Sequence, residues 1–219
     1  MAPCNKTTQP RRLHIGGKVR KEGWEVLNAV ASPVVDHVGN ANDLSQFPEN
    51  TFTQLYASHV VEHLDYNGEL QKTLAGWLRV LEPGGTVMIS VPDLDVLARL
   101  FVMRDKLSLD ERFQVMRMMF GGHIDQWDYH VTGLNGELLA SFLRQAGFAD
   151  IRRVETFGIF DDTSGKLFKG VRISLNMTAV KPGSGAGGET SRRLGPLQGK
   201  TAFKLSGSFK MTDEEPLQS

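Results

Sequence analysis

The apolar positions of the middle of the chain fall into alternating short runs and helical stripes. Leu55-Tyr56-Ala57-Ser58 is a brief apolar run that closes on a small polar residue. This is the pattern of a buried parallel strand whose carboxyl end opens into a site. After the turn residues Asp65, Asn67 and Gly68, apolar side chains recur at Leu70, Leu74, Trp77, Leu78 and Leu81, a helical spacing with one buried stripe. Pro83-Gly84-Gly85 is expected to stop that helix, because proline cannot continue it and glycine permits the reversal. Residues 86–91 read as a second strand. Pro92-Asp93 ends it, with Asp93 placed to cap a following helix. Strand, helix and strand in this order make a βαβ unit, and open α/β sheets bind ligands beyond the carboxyl ends of their strands, here near Ser58-His59 and Pro92-Asp93.

The flanking sequence extends the pattern. Arg12-Leu13-His14-Ile15 reads as a first strand running into the turn Gly16-Gly17, and residues 23–29 as a second strand. Beyond Asp93, the residues Leu94, Leu97 and Phe101 share a helical face. Ser108 and Glu111 form a capping box that opens a helix holding Phe113, Met116, Met118, Met119 and Phe120. Those methionines are expected to fill gaps in the core, with pocket lining as the alternative. Asn135 caps a helix with the stripe Leu138, Leu139, Phe142 and Leu143, which Gly147 ends. Residues 151–157 are a further strand. Val171, Ile173, Leu175, Met177 and Ala179 alternate strictly, as in a half-buried antiparallel last strand. From Gly183 the composition turns to glycine and serine, and no sustained apolar period follows. The expected organisation is a flexible start over 1–11, one α/β domain over 12–182, and a disordered tail over 183–219 in which Phe203, Leu205 and Phe209 are candidate docking residues. The domain is an open, mostly parallel sheet with an antiparallel last strand and helices on both faces.

Three motifs go beyond architecture. Ala57-Ser58-His59-Val60-Val61-Glu62-His63-Leu64, Arg79-Val80-Leu81-Glu82-Pro83-Gly84-Gly85, and Val91-Pro92-Asp93 together resemble class I S-adenosylmethionine-dependent methyltransferases, of the type 11-like group. In that family a strand leads into a HVLEHL-like turn, and RVLKPGG precedes the fifth strand. Leu143-Arg144-Gln145-Ala146-Gly147-Phe148 before a strand is typical of the same family. The resemblance spans about 12–182 and is thinnest at the start. It implies a Rossmann-like fold, S-adenosylmethionine as cofactor, and a methyl acceptor that is a small molecule. It further implies that Gly16 and Gly17 are what remains of the first glycine motif, and that Asn28 stands where an acidic residue holds the ribose. Residues 35–44 would be the third strand and the loop beside the adenine, with Asn40 and Ala41 there, and Ser58 and His59 would lie at the cofactor end of the fourth strand, His59 with His63 toward the acceptor side. The residues alone leave other readings open: Gly16-Gly17 as an ordinary turn and Asn28 as a turn cap. The thin glycine motif also admits a methyltransferase-like protein that binds a ligand or partner without catalysis. Nicotinamide-dependent redox chemistry fits poorly, since its glycine fingerprint and acidic partner are missing.

The segment 121–130 is the most chemically loaded, with two histidines, two aspartates, a Trp and a Tyr. His123 and His130 there, and His63 one turn beyond the fourth strand, are the candidate bases. A divalent metal held by His123, Asp125, Asp128 and His130 is the alternative, but the spacing matches no tight ligand pattern and no metal site is expected. The single cysteine, Cys4, excludes an internal disulfide and a Cys-based metal site. Formal net charge is zero, so no field of one sign recruits nucleic acid. No apolar run is long enough to span a bilayer, and a cytoplasmic protein is expected. Neither the acceptor nor the oligomeric state is set by any motif.

Overall fold

The computed structural model describes residues 9–183. Cys4, most of the segment 1–11 and all but the first residue of the tail, including Phe203, Leu205 and Phe209, lie outside the described residues. In chain order the elements are β1 (Arg12–Ile15), β2 (Glu25–Asn28), β3 (His37–Val38), β4 (Phe52–Ser58), α1 (Glu69–Val80), β5 (Leu81–Pro92), α2 (Leu94–Val102), α3 (Leu109–Phe120), α4 (Gly136–Ala146), β6 (Ala149–Val154), β7 (Leu167–Phe168), β8 (Val171–Arg172) and β9 (Ser174–Val180). Seven strands form one sheet in the order β3-β2-β1-β4-β5-β9-β6, and β7 and β8 form a separate hairpin. β1 to β5 pair in parallel, and β9 runs antiparallel to both β5 and β6. The strand order reverses between β1 and β4, which opens a crevice at their carboxyl ends. No helix of the described residues is long and apolar enough to cross a membrane.

The two-residue period of the strands sorts their side chains into two layers. Leu13, Ile15, Leu55, Ala57, Val87, Ile89, Leu175 and Ala179 enter the main core with Leu70, Leu74 and Trp77 of α1 and Leu139 and Leu143 of α4. The alternate positions His14, Tyr56, Met88 and Asn176 face the other way and are buried as well. There Trp24, Tyr56 and Met88 pack with Phe157, Ile159 and Phe160 of the segment after β6. Tyr56 Oη donates to Asp162 Oδ2 at 2.7 Å and so ties this segment to the sheet.

Local signals read from the sequence reappear as caps. Asp93 accepts from the backbone of Asp95 and Val96, Ser108 and Glu111 form both halves of the capping box, and Asn135 accepts from Leu138 N. Other expectations are corrected by packing. Pro83-Gly84-Gly85 does not terminate α1. Leu81 is already extended and pairs with Phe52, and the Pro-Gly-Gly stretch is an irregularity inside β5. Gly84 N donates to Lys181 O and Lys181 N to Gly85 O, so β9's end holds it in the sheet. The alternating run 171–179 is divided: Val171 and Arg172 belong to the hairpin, and the last sheet strand starts at Ser174. That strand is not half-buried, because Ser174 and Asn176 are covered along with the apolar positions. Asn176 Nδ2 is satisfied by Glu155 O and Ser164 O of the covering segment. On α2 the buried residues are Leu97 and Leu100, while Phe101 is exposed; on α3 only Val115 is fully buried, and Phe113 and Phe120 are exposed.

Candidate active site at the carboxyl edge of the sheet

A cavity of about 600 Å³ lies at the crevice where the strand order reverses. Its walls are the turns after β1, β2, β3 and β4, with Asp125 and Trp127 of the α3–α4 loop across its mouth. Gly16, Gly17, Asn28, Asn40, Ala41, His59 and His63 all line it. Ser58 does not. It shares a face with Tyr56, and its Oγ is buried without a hydrogen-bond partner among the described residues.

The two glycines are required by the protein's own packing. Gly16 has φ +75°, and a Cβ there would meet Val60 Cγ2 at 2.7 Å; a Cβ on Gly17 would meet the His14 ring at 2.7 Å. Gly17 leads into a loop that returns to β2, with no helix among residues 16–24. Asn28 ties this turn down. Its Nδ2 donates to Gly17 O at 3.0 Å and its Oδ1 accepts from Val30 N at 2.9 Å, an Asx turn that leaves one lone pair of Oδ1 for a ligand. Asn40 Oδ1 is 3.5 Å from Asn42 N, and Ala41 O accepts from Trp77 Nε1 at 2.8 Å, which anchors the adjoining wall to α1.

A second cavity of about 210 Å³ adjoins the first. Pro92, Met118, Leu167, Phe168 and Ile173 make it largely apolar, and Lys166, Thr163, His59 and His130 supply its polar edge. His59 borders both cavities. Met118 therefore lines a pocket, while Met119 packs beside it against the small α2–α3 cluster.

Between the cavities lies Glu62, which is 1% exposed and sits in a single 3-10 turn, Val61–His63. His59 Nδ1 is 3.1 Å from Glu62 Oε1, off the hydrogen-bonding direction, and His130 Nε2 is 3.9 Å away. Neither carboxylate oxygen has a hydrogen-bond partner among the described residues. Burial pushes the Glu62 carboxyl up, but His59, with His63 and His130, outweighs it and holds the group below the usual carboxylate range. Burial lowers His130, against the pull of Glu62. His59 has φ +56°, a strained value for a residue with a side chain. Its orientation is set by Ser174: that hydroxyl donates to Thr163 O at 2.9 Å, so it accepts from His59 Nε2 at 3.0 Å. His63 Nδ1 donates to Tyr129 O at 2.9 Å, and the His63 and His130 rings stand 4.9 Å apart, edge to face. The loop carrying His130 is stapled to the Glu62 turn, with Val131 N and Thr132 N donating to Glu62 O and Thr132 Oγ1 to Leu64 O.

Of the three candidate bases, then, His63 and His130 come together at Glu62 and His123 does not join them. His123 is exposed, lines neither cavity, stacks on Tyr129 with ring centroids 4.1 Å apart, and donates from Nε2 to Phe120 O. These contacts lie within its own loop. Asp125 and Asp128 likewise cap turns there, through Trp127 N and Ile124 N. Glu62 is not among the residues expected from the sequence, and His59, expected at the cofactor end of the fourth strand, borders both cavities. The spacing His59, Glu62, His63 was visible, but nothing local shows that the carboxylate turns inward to meet a loop from beyond α3.

Residues 18–89 match the family described as a methyltransferase domain. No curated protein matches the sequence. Among solved structures, a SAM-dependent methyltransferase from Archaeoglobus fulgidus aligns at 18% identity and a TM-score of 0.51, over 78% of this chain and 86% of that one. A possible exported protein from Bordetella parapertussis aligns at 12% identity and a TM-score of 0.50, over 80% of this chain and 63% of that one, so this chain spans less than two thirds of that protein's length. Over residues 18–89 the chain is thus similar to the methyltransferase-domain family, and its sheet has the Rossmann-like α/β fold of the Archaeoglobus fulgidus enzyme.

Proposed function

We propose that the protein transfers a methyl group from S-adenosylmethionine to a small, largely apolar acceptor. The observation that carries this reading is the pair of adjoining cavities that share His59, the larger at the sheet's switch point and the smaller lined mostly by apolar side chains. The larger has the size of a cofactor site, within the range of roughly 300–1,000 Å³ usual for such pockets. Gly16 and Gly17 would let the backbone approach the cofactor, Asn28 Oδ1 would accept from one ribose hydroxyl, and Asn40 and Ala41 would flank the adenine. The cofactor's sulfonium supplies an electrophilic methyl group. The chain's share is to hold the acceptor in line and to take its proton. An imidazole of His63 or His130 that accepts this proton becomes a cation beside the buried Glu62 carboxylate, which stabilises it.

Calorimetric titration with S-adenosylmethionine and S-adenosylhomocysteine tests the reading, and micromolar binding of both is expected. A second reading, a methyltransferase-like binding protein without catalysis, draws support from Asn28, whose amide is committed to Gly17, and from the absent helix after Gly17. Absence of binding into the millimolar range would favour it.

A further inference from the structure

We propose that Glu62, His63 and His130 form a binding site for a divalent first-row transition-metal ion, of the zinc class. Three observations converge. One ligand atom from each of these side chains lies within 4.8 Å of the others. A tetrahedral first-row ion with ligands at about 2.0–2.2 Å sets them roughly 3.3–3.6 Å apart, so small side-chain rotations close the site. The carboxylate is buried and both its oxygens lack hydrogen-bond partners among the described residues, although an ionised carboxylate out of water needs a cation or donors. The third observation is the imidazole pair. His63 spends its Nδ1 hydrogen on the Tyr129 carbonyl, which leaves Nε2 as a lone pair toward the cluster, the tautomer and the outer partner typical of a metal-bound histidine. His130 presents Nε2 to the same carboxylate.

The donor set, two imidazoles and a carboxylate, suits zinc and its neighbours and is too nitrogen-rich for magnesium or calcium. It also leaves coordination positions open, as in catalytic zinc sites. His63 borders the larger cavity and His130 the smaller, so an open position faces the space between them. His59 Nδ1 stands 3.1 Å from Glu62 Oε1 but off the hydrogen-bonding direction, its ring held by Ser174, so the carboxylate oxygens stay open to an ion. The backbone bonds from Val131 and Thr132 to Glu62 hold the two ligand segments in register before any ion arrives. An ion there takes up the ring lone pairs of His63 and His130, so neither imidazole serves as the base in the loaded chain; the site stands on these side chains whether or not a methyl group is transferred.

The test uses the full chain, stripped with a chelator and titrated with Zn²⁺ and Co²⁺ alone. Expected are one equivalent bound per chain, visible Co²⁺ absorption bands of low-symmetry coordination, and a melting temperature that rises with Zn²⁺. His63→Ala and His130→Ala should each weaken binding by more than about tenfold and abolish the thermal shift, while His123→Ala, outside the cluster, binds as the parent does. Glu62→Gln should do the same as the two imidazole variants; where it fails to fold, those two carry the test. A folded parent chain that takes up no stoichiometric ion overturns the proposal, as does binding that survives in both His63→Ala and His130→Ala. Binding of S-adenosylmethionine is measured separately, so failure of the metal site and failure of the methyl-transfer reading are distinguishable.

Discussion

Among the groups through which acid should weaken this fold, His14 can be isolated. Its ring is 5% exposed on β1, with the Phe160 ring centroid at 4.1 Å and that of Tyr56 at 5.1 Å. Burial lowers His14 from 6.5 to about 4, with Asp162 opposing only weakly. Between those values the unfolded chain takes up a proton that the folded one refuses. Stability is therefore fully present above pH 6.5 and is lost as pH falls toward 4. At about 1.4 kcal/mol per pH unit, the whole window is worth about 3 kcal/mol, and the step from pH 7 to pH 5 about 2 kcal/mol. The assay is urea unfolding at pH 7 and pH 5 of the parent chain and of His14→Leu, a change close in volume that cannot titrate. His130 and the ion-paired carboxylates titrate in both chains and cancel in the comparison. The parent should lose about 2 kcal/mol more than the variant on acidification. Equal losses in the two chains would refute the reasoning.

Asn28→Asp puts a carboxylate oxygen where an amide now donates to Gly17 O at 3.0 Å. It should cost about 1–3 kcal/mol of stability and weaken S-adenosylmethionine binding. Calorimetry showing tighter binding with unchanged stability would contradict this. Tyr56→Phe removes the bonds to Asp162 and Ser164 that moor the covering segment. A loss of about 1–2 kcal/mol and faster proteolytic cleavage within 157–164 are expected; a cleavage rate equal to the parent's would show that apolar packing alone holds the cover.

What the sequence by itself determined is what short-range interactions encode. The helical stripe of α1, the caps at Asp93, Ser108 and Asn135, and the apolar strands of the parallel sheet each depend on residues within a turn or on a two-residue period. They are therefore legible without the fold. The family motifs are also contiguous, so the turn 57–64 announced a site at the end of β4. The tertiary structure decided the rest, because it turns on contacts between distant segments. Pro83-Gly84-Gly85 looks like a helix stop until Lys181 pairs with it as part of the sheet. The polar face of β9 looks solvated until the segment after β6 folds over it and satisfies Asn176. Asn28 lines the larger cavity, yet only the fold shows that its amide is also spent on Gly17 O. His123 and His130 share one loop and look equivalent. Backbone bonds to Glu62 carry His130 inward, while His123 is left stacked on Tyr129, and that choice is made by packing across the chain.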